Sequence, residues 1–139
     1  MATRGQMTTL SRQAALIFGA TTAAMPIGVE AQPYGPNDGE ERHPGVRVIR
    51  LGENTSKVPG FKAVILRDVV QQSGSKIPLE TMKNAMICHC VEGELEVAQE
   101  DGVFTAKKGT VWTCKAAAPK PRSTKAMPSA IMRVIELTT

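Results

Sequence analysis

The stretch GSKIPLETMKNAMICHCVEG, residues 74–93, decides how this chain is read. Residues 85–92 read as one strand and Gly93 as the turn that ends it. The alternating Glu94-Leu95-Glu96-Val97 beyond has the period-two pattern of a second strand. Successive side chains of a strand point to opposite faces. Met86, Cys88, Cys90 and Glu92 therefore share one face, and Ile87, His89 and Val91 the other.

Similar short runs lie on both sides. Upstream, 46–51 and 62–70 are strand-like; Gly52-Glu53-Asn54 ends the first and Gln72-Ser73-Gly74-Ser75 the second. Downstream, Glu100-Asp101-Gly102 reads as a hairpin turn, followed by runs at 103–106, 110–115 and 130–137. Residues 116–128, rich in Pro and Lys, read as a loop. No segment after residue 45 keeps a helical period for three turns. Short strands at this spacing mean an all-β sandwich or barrel.

The first 31 residues read as an export leader. Arg4 and Arg12 give a positive start, and an apolar, small-residue stretch opens at Ala14 and runs to Val29. No acidic residue precedes Glu30, and Val29-Glu30-Ala31 fits a cleavage site before Gln32. Ser11-Arg12-Gln13 resembles the twin-arginine signal, with Gln13 at the second arginine's place, so the export route stays open, as does Met1 or Met7 as the start. Thr21, Thr22 and Pro26 interrupt the stretch, which is short for a span, so no integral membrane anchor is expected. Residues 32–45 read as a flexible arm rich in Pro, Gly and charge, and 46–139 as the folded domain. The expected location is periplasmic or secreted.

The net charge of +4 is mild. Lys and Arg gather in the last third, but one Trp, one Tyr and three Phe in the whole chain do not supply the stacking platform of a nucleic-acid surface. The basic residues read as a solvated face and no nucleic-acid partner is expected. Cys88, Cys90 and Cys114 are an odd set for an exported protein: at most two pair internally.

The spacing within 74–93 resembles the first motif of the cupin superfamily: Gly, five residues, His-x-His, three or four residues, Glu, six residues, Gly. Gly74 and Gly93 hold the glycine positions. Glu80 and Met82 stand where the histidines belong and Met86 where the glutamate belongs. The second motif is fainter, with Gly109 in place, Lys115 and Ala117 replacing its Pro and Gly, and Lys120 at its histidine position. The resemblance implies a cupin-type double-stranded β-helix, a small barrel, preceded here by the leader and the Pro/Gly-rich arm. It also implies a homodimer, since cupins commonly pair.

A hard Fe, Mn or Ni site is not expected, because only Glu80 among the substituted positions is a hard ligand. If Met86 faces the interior, as its family position implies, Cys88 and Cys90 do too. Trp112 marks Cys114 as inward on its own strand. Met82, Met86, Cys88, Cys90 and Cys114 then form a sulfur-rich lining. Thiolates and thioethers select Cu(I) or Zn, yet the same residues serve equally as adaptable core fillers without any cofactor. Cys88 and Cys90 are about 7 Å apart by strand rise, poor for a disulfide with each other, so Cys114 is the partner for either if one forms.

Three functions follow. The first is a binding protein holding a soft metal ion or a small apolar molecule, with Glu80, Met82, Met86 and Lys120 at the ligand. The second is a metal-independent isomerase, lyase or thiol enzyme using Glu80, Lys120 or a cysteine. The third is a structural barrel with a filled core.

Overall fold

Runs of alternating polarity in the sequence become strands in the computed structural model, which describes residues 33–117, 122–126 and 128–139; for Leu79, Glu80, Arg122 and Ser123 the description is of backbone alone. Ten strands follow in chain order: β1 (Glu40–His43), β2 (Val46–Thr55), β3 (Ala63–Gln71), β4 (Lys76–Glu80), β5 (Ala85–Glu92), β6 (Glu94–Gln99), β7 (Gly102–Lys107), β8 (Val111–Cys114), β9 (Arg122–Ala126) and β10 (Ala130–Thr138). They form a six-stranded sheet, β1-β2-β3-β10-β5-β8, and a four-stranded sheet, β4-β9-β6-β7. Every pairing is antiparallel. The leader, 1–31, lies outside the described residues. No helix among the described residues is long and apolar enough to cross a membrane.

The two sheets share one core. Val46, Val69, Met86, Cys88 and Val134 from the larger sheet pack with Leu95, Val97, Ala106 and Ala126 from the smaller. Fully burying an aliphatic side chain such as Leu95 or Val97 stabilises the fold by about 1.5–3 kcal/mol. Strand alternation puts these residues in one place. In β5, Met86, Cys88 and Cys90 are buried while Ile87 is exposed, and in β8 Trp112 and Cys114 are buried between exposed Val111 and Thr113.

The two motif glycines serve different needs. Gly93 sits at φ 74°, and a Cβ there would lie 2.1 Å from the carbonyl oxygen of Ser129, just before β10. Gly74 has a similar φ of 78°, but a Cβ would meet nothing within 4 Å. Turn conformation alone requires Gly74, whereas close chain approach also requires Gly93.

Besides Gly52-Glu53-Asn54, read as the end of a strand but lying within β2 where its register with β3 shifts between Arg50 and Gly52, three segments depart from the sequence reading. Residues 40–43 lie within the stretch read as a flexible arm, yet they form β1, paired to β2 across the turn at Pro44-Gly45. Glu40-Glu41-Arg42-His43 has no apolar alternation, so only its backbone pairing makes it a strand. Within 116–128, read as a loop, β9 runs between β4 and β6. Its inward residue Ala126 is fully buried but too small to mark a strand by hydrophobicity. The third segment, β4, contains Pro78, which masked its strand character.

Candidate functional site

A cavity of about 420 Å³ lies between the sheets. β5 and β8 supply the sulfur side. Met86 is in register with Cys114 and Cys88 with Trp112, and all four line the cavity. β10 adds Met132, and Met82 comes from the segment between β4 and β5. From the smaller sheet, Ile77, Val97 and Thr124 line the opposite side. Trp112 is held edge-on against Phe104, with ring centroids 5.8 Å apart and an interplanar angle of 78°.

Cys90 does not join the other thiols at the cavity. Its side chain is on the same face of β5 and fully buried, but its Sγ lies 3.5 Å from the carbonyl oxygens of Glu92 and Gly93, toward which the thiol donates. Burial pushes its pKa above the ordinary 9.0, and the nearby Glu92 and Glu94 carboxylates add to that. A thiol held neutral in this way is a poor metal ligand and a poor nucleophile. Of the three cysteines expected on the lining, Cys88 and Cys114 are there, whereas the Cys90 thiol is turned to the Glu92 and Gly93 carbonyls. None of the three cysteines is in a disulfide, and all are buried. Cys114 Sγ accepts a hydrogen bond from Gln99 Nε2 at 3.1 Å.

Of the other expected site residues, Glu80 ends β4 in register with Arg122. Lys120 lies outside the described residues. His89 is on the face away from the cavity, in register with Arg133 and Val111. Among the described residues no group of three or more His, Cys, Asp or Glu is placed to hold a metal ion. Thioethers at Met82 and Met86 do not fit the hard, octahedral ion that histidines and a carboxylate would hold there.

The polar part of the site comes from residues the sequence reading passed over. Arg42, His43 and Arg67 line the cavity, and among the residues whose side chains are described no Asp or Glu is on the lining. Arg67 is on β3 and shares the inward face with Val69. Its Nη2 donates to Glu136 Oε2, while Asn84 Nδ2 donates to Glu136 Oε1 at 2.6 Å. Glu136 reaches this position because on β10 it shares a face with Met132 and Val134 and lies in register with Met86. Behind Thr124, the buried Gln71 donates from Nε2 to its Oγ1 at 2.9 Å. The available signal was Arg67-Asp68 in the apolar run 62–70: two adjacent charges in a strand must point to opposite faces.

The outer face of the same sheet holds a second charged group. Arg133 donates from Nε and Nη2 to the two oxygens of Asp68, at 2.8 and 2.9 Å, and the Tyr34 hydroxyl donates to Oδ2 at 2.6 Å. Asp68 is almost fully buried, and these three bonds all come from donors. The hydrogen bond to Asp68 raises the Tyr34 pKa above 10.0, with burial adding to it.

No family model and no curated protein matches the sequence. Solved structures do match. An RmlC-like cupin from Shewanella frigidimarina NCIMB 400 superposes with a TM-score of 0.62 at 13% identity, over 76% of this chain and 88% of that one. KdgF from Halomonas sp. gives 0.59 at 13% identity, over 73% and 89%. A cupin superfamily protein from Desulfitobacterium hafniense DCB-2 gives 0.56 at 17% identity, over 72% and 84%. At such identities the likeness speaks for the backbone alone, and it establishes that this chain has the cupin fold.

Proposed function

We propose that this is an exported cupin-fold binding protein that takes a small, largely apolar molecule into its Met/Cys-lined interior. The observation that carries this reading is the cavity of about 420 Å³, a size within the usual range for small-molecule sites and lined mainly by aliphatic, aromatic and sulfur side chains. A barrel filled for structural purposes leaves no such space. Met82, Met86 and Met132 suit a binding wall because thioether chains adapt to different ligand shapes.

Trp112 is the chain's one tryptophan, so its fluorescence reports on the cavity directly. Titration with 1-octanol should change Trp112 emission in a saturable way, and Ile77→Phe, which fills part of the space, should weaken the effect. A linear, non-saturating response in the wild type argues against the reading.

A soft metal ion is the second reading, favoured by Cys88 and Cys114 lining the cavity with three methionines. Anaerobic Cu(I) titration of the reduced protein tests it. One tight equivalent that Cys88→Ser and Cys114→Ser abolish supports it, and no stoichiometric binding removes it.

Export rests on the leader-like 1–31, and intact-mass measurement of the native protein should find Gln32 first. A homodimer accords with exposed Ile87 and Val111 on the outer face of the six-stranded sheet. Light scattering that gives a monomer mass at high concentration contradicts it.

A further inference from the structure

We infer that the ligand carries a carboxylate: the site takes a small amphipathic acid, with its apolar part against the sulfur wall and its carboxylate toward Arg42 and Arg67. The inference rests on the apolar-ligand reading above and adds the headgroup to it.

The first observation is the sign of the lining. Among the residues whose side chains are described, the charged groups on the lining are Arg42 and Arg67; Glu136 reaches Arg67 from the same inner face of the sheet without lining the cavity itself. A neutral apolar ligand makes no use of either guanidinium, whereas a carboxylate gives each a second charged acceptor.

The second observation is how each arginine is already engaged. Arg67 touches Glu136 through Nη2 alone; its Nε and Nη1 make no hydrogen bond among the described residues. A guanidinium presents two edges to planar oxygen pairs, so one edge remains for a second carboxylate. Glu136 is itself fixed by Asn84, which makes Arg67 a positioned donor and not a freely moving one. Arg42 pairs with Glu40 at 3.1 Å, but both side chains are largely exposed, at 60% and 67%. Such surface pairs contribute little and exchange readily, so Arg42 can turn to a ligand at small cost.

The third observation is what else on the lining is polar: the Trp112 indole N–H, His43 and Thr124. A carboxylate has two oxygens to satisfy, and the remaining edge of Arg67 together with Arg42 supplies donors for both.

The test compares octanoate, octanamide and octylamine on the same tail, read by Trp112 fluorescence near pH 7.5. Octanoate should bind about tenfold more tightly than octanamide, as expected for charge-assisted bonds to guanidinium. Arg42→Gln, an exposed change that the fold should tolerate, should narrow that gap to about threefold, and added salt should narrow it in the wild type. Arg67→Lys keeps the charge but loses the fork, and should also narrow it. Equal affinity for octanoate and octanamide, or tighter binding of octylamine, overturns the carboxylate and leaves the apolar cavity standing. Absence of saturable binding by all three overturns the apolar reading and this inference with it.

Discussion

β3 and β10 carry one arginine–carboxylate group on each face of the sheet, and the two are finished differently. On the outer face Asp68 receives two bonds from Arg133 and one from Tyr34. On the inner face Glu136 receives one bond from Arg67 and one from Asn84, and Arg67, which lines the cavity, makes no further hydrogen bond among the described residues. A charge group saturated by its own chain is part of the scaffold. A group with donors left over beside a cavity is suited to meeting a ligand. The same two strands supply both, because adjacent residues Arg67 and Asp68 point to opposite faces.

Changes on the outer face should therefore act on stability alone, and the largest effect is expected there. Asp68→Ala strips Arg133 and Tyr34 of their common acceptor and should cost about 2–3 kcal/mol in urea unfolding. That is below the full range for a buried pair because Arg133 is partly exposed. Octanoate affinity should stay unchanged. A variant that is fully stable but binds poorly would reverse the assignment of the two faces.

Glu136→Gln is the matching change inside. It should cost about 1 kcal/mol, since the pair is half-buried and Asn84 retains a partner. It should also tighten octanoate binding about threefold by removing the competing carboxylate from Arg67. Weaker binding would show that Glu136 touches the ligand or that Arg67 needs its charge for position.

Tyr34→Phe should cost about 1 kcal/mol at neutral pH for one hydrogen bond. Its pH dependence has a definite sign. Tyr34 holds its proton more tightly in the fold than its ordinary 10.0, so its contribution is complete below pH 10 and is lost as pH rises through the folded value. Thermal melts of wild type and Tyr34→Phe should converge above pH 10. Cys90, raised above 9.0, gives a loss of the same sign beginning near pH 9 in both proteins. The smallest effect is Arg42→Gln on stability, within about 0.5 kcal/mol, because its ion pair is exposed.

The inner face of β5 was legible from Met86, Cys88 and Cys90 because a buried strand writes its face every second residue. Ile87 and His89 fell on the outer face by the same rule. What strand alternation does not reveal is depth along the strand. Cys90 shares the face of Cys88 yet misses the cavity, its thiol turned to the Glu92 and Gly93 carbonyls. β1 and β9 were hidden for another reason: both are held by backbone pairing, β1 with the adjacent β2 and β9 with the distant β4 and β6, and Ala126 or His43 carries no hydrophobic signal of its own. The charged half of the site escaped because Arg67 and Glu136 are far apart in sequence and meet only through the β3–β10 register.

Methyl-¹³C methionine NMR can show whether a small molecule occupies the space between the sheets. Met82, Met86 and Met132 line the cavity from three separate segments, so their methyl groups report on three of its walls at once. Titration with octanoate should shift all three methyl resonances along one saturation curve, while methionines elsewhere in the chain stay in place. Saturable binding that leaves these three resonances unmoved would place the ligand outside the cavity and contradict the account.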